Sequence, residues 1–453
     1  MYLSKDKAFY RLLLSLALPI AAQNILTFSI SMADSLMVGF LGEIQLAAAS
    51  QANRFFFFFM IILFGITGGA NILIAQYWGK KDIPAIHQVM AIMYRVVIGL
   101  ISAAIIVAQL FPEWVMSLFA TDPAVIQEGA VYLKIVSWGY LLFGLTNATV
   151  MVLRSVRTVK ISNVIYGTSL VTNVFFNWVL IFGRLGAPRL GVAGAAYATV
   201  ISRVAELVVL LVFLWRYEDK LGIRLSKLLP VHRPMLQSFI TNCIPVIANE
   251  TIWVTGSTVV SMIIGRLGTT VIAASNIESI GWQLVTVALF GLQNSTSVII
   301  GNTIGAGEKE KLFEYSRTLS TLGICVGIFA GVVMMLLRPL AAVVYPSFDP
   351  STLEMARRLM INSAILLVFQ GSNFTNLMGI LRGGGDLRFV LVCDVIFLWT
   401  VSLPLGLAAF YLWHWPAPFT ILILHVDEVI KAIVSLWRVR GNQWVRDLTI
   451  TTS

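Results

Sequence analysis

The sequence predicts an all-α polytopic membrane protein, with twelve transmembrane helices in two parallel six-helix lobes. Three observations lead there: the composition, the recurrence of long apolar stretches, and an internal repeat. Of 453 residues, 58% are hydrophobic and only 12% charged, whereas soluble domains carry about a quarter charged residues. Apolar stretches of at least about eighteen residues, the length a helix needs to cross hydrocarbon, recur along the whole chain. They leave no room for a large soluble domain. The formal net charge of +10 is spread over short segments between the apolar stretches instead of forming one patch. That distribution fits a membrane surface and not a nucleic-acid partner.

The first stretch follows Lys5, Lys7 and Arg11. It is too long for a signal peptide and has no small-residue cleavage site, so it is expected to stay as the first span. Polar breaks place spans 1 to 6 near 12–40, 46–77, 88–111, 130–153, 161–183 and 192–215. Spans 7 to 12 fall near 239–265, 272–304, 316–337, 359–381, 389–412 and 419–437. With the amino terminus inside, the inward segments collect Lys80, Lys81, Arg154, Arg157, Lys160, Arg216, Lys220, Arg224 and Lys227 in the first half and linker. The second half repeats the bias with Lys309, Lys311, Arg317, Arg382, Arg388, Arg438, Arg440 and Arg446. Both termini are therefore expected in the cytoplasm, in a multi-pass protein of the cell membrane. The expected division is an N-lobe at 1–216, a linker at 217–236 containing Gly222, Pro230 and Pro234, a C-lobe at 237–440 and a tail at 441–453.

Sliding the chain on itself by about 226 positions superposes shared glycines and prolines in one register. Pro19 falls on Pro245, Gly39 on Gly265, Gly42 on Gly268, Gly65 on Gly291 and Gly79 on Gly305. After a short drift, Leu153 and Arg154 meet Leu381 and Arg382. Each repeat holds an even number of spans, so the second starts on the same side as the first. Parallel repeats of this kind suit a transporter that works by alternating access. Pro19 and Pro245 each remove a backbone donor within a span, where bends are expected.

The residues around these positions resemble the multidrug and toxic compound extrusion (MATE) family over nearly the whole chain. In the first half the resemblance is carried by Leu18, Pro19 and Ile20, the run from Ala33 to Gly39, Leu41 and Gly42 before Ala47 and Ala48, the run from Asn177 to Gly183, and that from Gly194 to Thr199. In the second half it is carried by Ile244 and Pro245, Asn249 and Glu250, Trp253, Gly256, and the stretch from Arg382 through three glycines to Asp386. The resemblance implies a secondary active multidrug efflux antiporter, not an enzyme, in which sodium ions or protons moving inward drive organic cations outward. It implies no cofactor, a coupling ion that is sodium or a proton, and partners that are small organic cations, amphipathic drugs and membrane lipids. No nucleic acid is expected, and the chain is expected to act as a monomer. The alternative is a lipid-linked sugar flippase or another transporter on the same two-lobe plan.

Asp34 lies in apolar surroundings in span 1, where a central carboxylate costs roughly 2.5–3.5 kcal/mol on insertion scales. It is either satisfied by neighbouring hydroxyls and amides or it binds a cation or proton. The family's N-lobe ion site resembles a cluster that maps onto Asp34, Asn173, Asn177 and Thr199, with Asp34 as a candidate sodium ligand. The spacing of Asn173 and Asn177 puts both amides on one helix face, for ion binding or for interhelical hydrogen bonds. Some relatives carry a second Asp where this chain has Asn177. In the C-lobe the candidates for ion or substrate binding are Glu250 with Asn249 beside it, then Glu278 and Asp394. For Glu250 the other reading is a cap or an interhelical pair. Arg203 and Glu206 are spaced to neutralise each other, and so are Asp427, Glu428 and Lys431 on span 12.

The run from Phe55 to Phe59 covers every face of a helix, so part of it faces lipid. Cys243, Cys325 and Cys393 have no pairing or ligand spacing and read as packing residues. The histidines show no zinc pattern and no phosphate loop is present, so the energy source is expected to be an ion gradient.

Overall fold

A computed structural model describes residues 3–223, 227, 231–346 and 348–449. Arg224 and Pro230 of the expected linker lie outside them. The described residues are helical almost throughout, as hydrocarbon requires: each backbone N–H and C=O must find its partner within the crossing segment. The first half runs through α1 (Lys7–Gly39), α2 (Glu43–Lys80), α3 (Ile83–Leu110), the short α4 (Pro112–Ser117), α5 (Pro123–Ser155), α6 (Lys160–Phe182) and α7 (Val192–Arg216). The second runs through α8 (Arg233–Arg266), α9 (Thr269–Gly305), α10 (Lys309–Leu337), the short α11 (Leu340–Val344) and α12 (Pro350–Asn373). It continues in α13 (Leu387–Ile396), α14 (Leu403–Tyr411), α15 (Ala417–Ile423) and α16 (Asp427–Arg440). Two π-helical stretches among the described residues, Phe374–Leu381 after α12 and Phe397–Ser402 between α13 and α14, carry those spans onward.

Helix starts follow local chemistry. α5 and α12 each begin with Asp then Pro, and the Asp122 and Asp349 carboxylates accept from the backbone N–H groups of Ala124 and Ser351, both at 2.8 Å. Pro takes the first helical position without loss because its missing N–H had no intrahelical partner there. Hydrogen bonds from the Ser351 hydroxyl and backbone hold the Asp349 carboxyl below the usual carboxylate range.

Among the described residues, eleven helices are long and apolar enough to cross a membrane. The expected span 12 falls on α15 and α16, which a turn at Leu424–Val426 separates, so it is an interrupted helix and not a continuous one. The physical reason lies next to the turn, where His425, Asp427 and Glu428 bond outside their own helix or to its end.

The chain divides into two compact units. The first comprises Ala22–Ile74 and Asp82–Cys243; the second comprises Met1–Ala21, Ala75–Lys81 and Ile244–Ser453. Chain order and packing therefore differ at the edges, since α1 and α2 each give residues to both units. In the first unit α7 packs on α6 and α5, and Gly194 brings α7 so close to α6 that a Cβ would lie 2.6 Å from the Leu180 carbonyl oxygen. The second is centred on α9, α10 and α12, with Leu289, Met334, Leu359 and Leu367 in its core. Gly327 plays the corresponding part there, a Cβ standing 2.7 Å from the Leu367 carbonyl oxygen. The described residues of the tail, 441–449, pack within the second unit. Trp444 is fully buried, Asp386 receives Arg438 and Arg446 at 2.8 Å each, and Asp447 pairs with Lys80 at 3.0 Å.

Candidate functional site

In the first unit, the four residues expected to cluster do so. α1 brings Asp34, α6 brings Asn173 and Asn177 one turn apart, and α7 brings Thr199. Asn177 Nδ2 donates to Asp34 Oδ1 at 2.5 Å and to Asn173 Oδ1 at 3.0 Å. The Thr199 hydroxyl makes a longer approach, 3.5 Å, to the other carboxylate oxygen. Both asparagines are fully buried. Asn177 Oδ1 is buried without a hydrogen-bond partner among the described residues. An orphaned amide oxygen beside a carboxylate is a donor set for a hard monovalent cation, or for a proton shared with the acid.

Sequence reasoning missed Tyr132. It comes from α5, is buried, and has Asn53, Thr199 and Asp34 as neighbours. A lone Tyr in an apolar span carries no pattern that would have marked it. Arg203 was expected to pair with Glu206, and it does at 2.5 Å, its guanidinium lying 4.7 Å from the centre of the Phe143 ring. The charge of Arg203 also reaches Asp34. The phenylalanine run divides as a helix demands: Phe55 is buried, Phe56 stacks on Tyr140 at 4.0 Å, and Phe57 and Phe58 are exposed.

The second unit is built on opposite charges. Glu250 is in an interhelical pair, 2.7 Å from Arg382 Nη1. Asn249 Nδ2 donates to Asp394 at 2.9 Å. Lys431 lies 3.1 Å from Asp394 and 2.8 Å from Asp427, so one buried ammonium is shared by acids of α13 and α16. Spacing along span 12 anticipated only the second contact. Ser402, at the end of a π-helical stretch, donates to Asp427 at 2.7 Å. Glu278 accepts from the Ser363 hydroxyl at 2.5 Å, and Glu428 from Asn373 Nδ2 at 2.6 Å. Glu278 and Glu428 both border a cavity of about 580 Å³ within this unit.

With both clusters placed, the matching of whole chains decides the family. The MatE family profile matches residues 19–179 and 245–434, most of both halves. The chain belongs to the MatE family. A probable multidrug resistance protein NorM of Thermotoga maritima is 24% identical to this MatE protein, covering 89% of this chain and 87% of the relative. The multidrug resistance protein NorM of Vibrio vulnificus is 26% identical, over 87% of this chain and 86% of its own. A crystal structure of MATE in complex with MaL6 superposes with a TM-score of 0.85 at 16% identity, over 95% of each chain. The fold is thus that of MATE transporters, and the protein is an integral membrane transporter, not an enzyme.

Among the described residues of this MatE protein, no group of three His, Cys, Asp or Glu side chains could hold a metal ion. The Asp34 cluster differs from such a group because its oxygens come from one carboxylate, amides and hydroxyls. Cys243 and Cys393 are buried and Cys325 half-buried, and none of the three is in a disulfide.

Proposed function

We propose that this protein exports small organic cations and amphipathic drugs in exchange for sodium ions or protons, by alternating access, as a secondary active antiporter. The family and the names of its NorM relatives support drug efflux. One observation carries the coupling: Asp34 sits with Asn173, Asn177 and Thr199 where a single carboxylate receives an amide N–H and a hydroxyl and, among the described residues, no cationic side chain within hydrogen-bond distance. Asp34 binds the coupling ion, Asn177 Oδ1 and the Thr199 and Tyr132 hydroxyls complete its surroundings, and Asn173 holds the Asn177 amide in place. Ion binding favours one access state and drug binding the other, the differential affinity without which a ligand cannot bias an equilibrium. In the second unit the pair Glu250 and Arg382 and the set Asn249, Asp394 and Lys431 serve as framework, which leaves Glu278 for ion or substrate. The basic segments support a cell-membrane orientation with both termini cytoplasmic, and the protein acts as a monomer.

Asp34→Asn keeps shape and removes both charge and exchangeable proton. Purified variant in liposomes should still bind a cationic dye, yet show no accumulation driven by a sodium or a pH gradient. Export at the parent's rate under the parent's gradient would make Asp34 structural and end this assignment.

A further inference from the structure

We propose that the C-terminal segment Arg446–Thr449 is a releasable latch on the last turn of α2, and that it lets go once in every transport cycle. The proposal rests on the alternating-access reading above. α2 belongs to the first unit up to Ile74 and to the second from Ala75, so movement of the first unit is carried along this helix into the second. The grip on its last turn sets whether that movement can finish.

Two kinds of contact hold the turn. The first is backbone packing on the end of α9. A Cβ on Gly79 would run into the Asn302 carbonyl oxygen, and one on Gly305 into that of Gln76. Asn302 Nδ2 donates to the Ala75 carbonyl oxygen at 3.2 Å. The register that puts Gly79 on Gly305 also puts Ala75 on Gly301 and Gln76 on Asn302, so corresponding positions of the repeat meet here, and small residues let the two backbones touch. The second contact is the tail. Gln76 is fully buried; its Nε2 donates to the Arg446 carbonyl oxygen at 3.1 Å and its Oε1 accepts from the Leu448 N–H at 2.8 Å. Both ends of one amide thus bind the main chain of the tail. From the other side the Arg446 N–H donates to the Gly384 carbonyl oxygen at 2.9 Å. Lys80 pairs with Asp447 at 3.0 Å and donates to the Thr449 hydroxyl.

The tail is held unevenly along its length. Its root is fixed: Trp444 is fully buried against Gly384, its ring centre 6.3 Å from that of Phe313 and its indole N–H donating to the Val439 carbonyl oxygen at 3.1 Å. Its tip is wet. The Arg446 side chain is 47% exposed, and the side chains of Lys80 and Asp447 are 33% and 50% exposed, where an ion pair adds little stability. A segment with a buried root and an exposed tip can open locally without unfolding what carries it. The corresponding segment of the first unit, after α7, returns to the corresponding turn: Lys220 Nζ donates at 3.1 Å to the Val156 carbonyl oxygen, which the register of Arg154 on Arg382 places on Gly384. It then meets α3, where His87 Nε2 lies 2.9 Å from the Leu221 carbonyl oxygen, and so ties helices of one unit together. The tail instead grips a helix that both units share.

A reversible cross-link tests this. Lys80→Cys/Asp447→Cys in liposomes is joined by a bis-methanethiosulfonate reagent, with the link confirmed by mass, and released by reductant; the parent treated alike controls for its own cysteines. Ethidium export under the parent's driving gradient should fall at least about tenfold on cross-linking and return on reduction. Hydrogen exchange on the unsubstituted parent reads the same latch. Protection of the peptide covering 446–449 should differ at least about tenfold between saturating ethidium and the coupling ion, supplied as sodium or as low pH, because the two favour different states. The proposal is overturned if the cross-linked protein exports as fast as its reduced form, or if protection of 446–449 is the same in both conditions. Where the reduced double variant exports nothing, the exchange measurement decides alone. A parent that exports ethidium beside a cross-linked variant that does so equally well leaves efflux standing and removes only the latch. A parent that exports nothing under either gradient, while protection of its tail still changes with ethidium, removes the efflux reading and leaves the latch.

Discussion

Arg154 of the first unit and Arg382 of the second stand at corresponding places in the repeat, yet their partners differ. Arg154 Nη2 donates to the neutral Gln23 at 3.2 Å, whereas Arg382 is paired with the carboxylate of Glu250 at 2.7 Å. The register that places Pro19 on Pro245 puts Gln23 on Asn249, next to Glu250. The same contrast runs through the polar clusters. The register that places Arg154 on Arg382 also puts Thr199 on Asp427 and Arg203 on Lys431. Where the first unit sets a hydroxyl beside one isolated acid, the second sets an acid and gives it a lysine. Duplication supplied a common backbone plan, and the side chains then divided two tasks: one half keeps a carboxylate among amides, the other distributes charge around a cavity.

On that division the second unit depends on its charges for stability more than the first, where the Arg203–Glu206 pair lies apart from Asp34. Lys431→Met is the strongest challenge. It leaves Asp394 and Asp427 facing each other without their ammonium, and removing one partner of a buried ion pair costs about 3–5 kcal/mol. The apparent unfolding midpoint in detergent should fall steeply; a midpoint unchanged from the parent would mean the cluster holds nothing together.

A smaller effect is expected at the paired arginines. Glu250→Gln keeps a hydrogen-bond acceptor for Arg382 but removes the charge, for a loss of about 1–3 kcal/mol. The reciprocal change, Gln23→Glu, sets a carboxylate 3.2 Å from Arg154 in place of an amide and should shift stability by less than about 1 kcal/mol. Equal responses at the two sites in thermal unfolding would erase the contrast.

The smallest effect should come where the halves agree. Asp122→Ala and Asp349→Ala each remove one cap from an Asp-Pro helix start, and the two midpoints should fall slightly and alike at neutral pH. For Asp349 the folded-state pKa is depressed below its unfolded value. Its contribution is therefore present above the unfolded value and lost as pH falls through the folded one, so the gap between parent and Asp349→Ala should begin to narrow below about pH 4. A gap that does not narrow at all as pH falls below about 4 would show that the cap does not act through its charge.

In the Asp34 cluster, Asp34 and the asparagine pair are legible through local rules, while their union with one another and with Thr199 came from the family resemblance. A carboxylate in an apolar span stands out by its cost, and two amides one helical turn apart share a face whatever surrounds them. Tyr132 is not legible, since a tyrosine in an apolar span is as compatible with packing as with a site. Glu250 is legible as an unusual residue, but its pairing with Arg382 depends on another helix far along the chain. Spacing assigns Lys431 to Asp427; its second partner, Asp394, comes from α13.

By itself the sequence determined the membrane class, the spans and the repeat. Hydrocarbon demands that each crossing segment satisfy its own backbone, so length and composition suffice to locate it, and shared glycines and prolines reveal the duplication. Only the tertiary structure decided that the last span is divided at His425 and which carboxylates are neutralised. Neutralisation requires opposite charges within a few ångströms, and the helices that bring them together are separated by up to more than a hundred positions of sequence, as Glu250 and Arg382 are, a distance over which no local pattern carries the information.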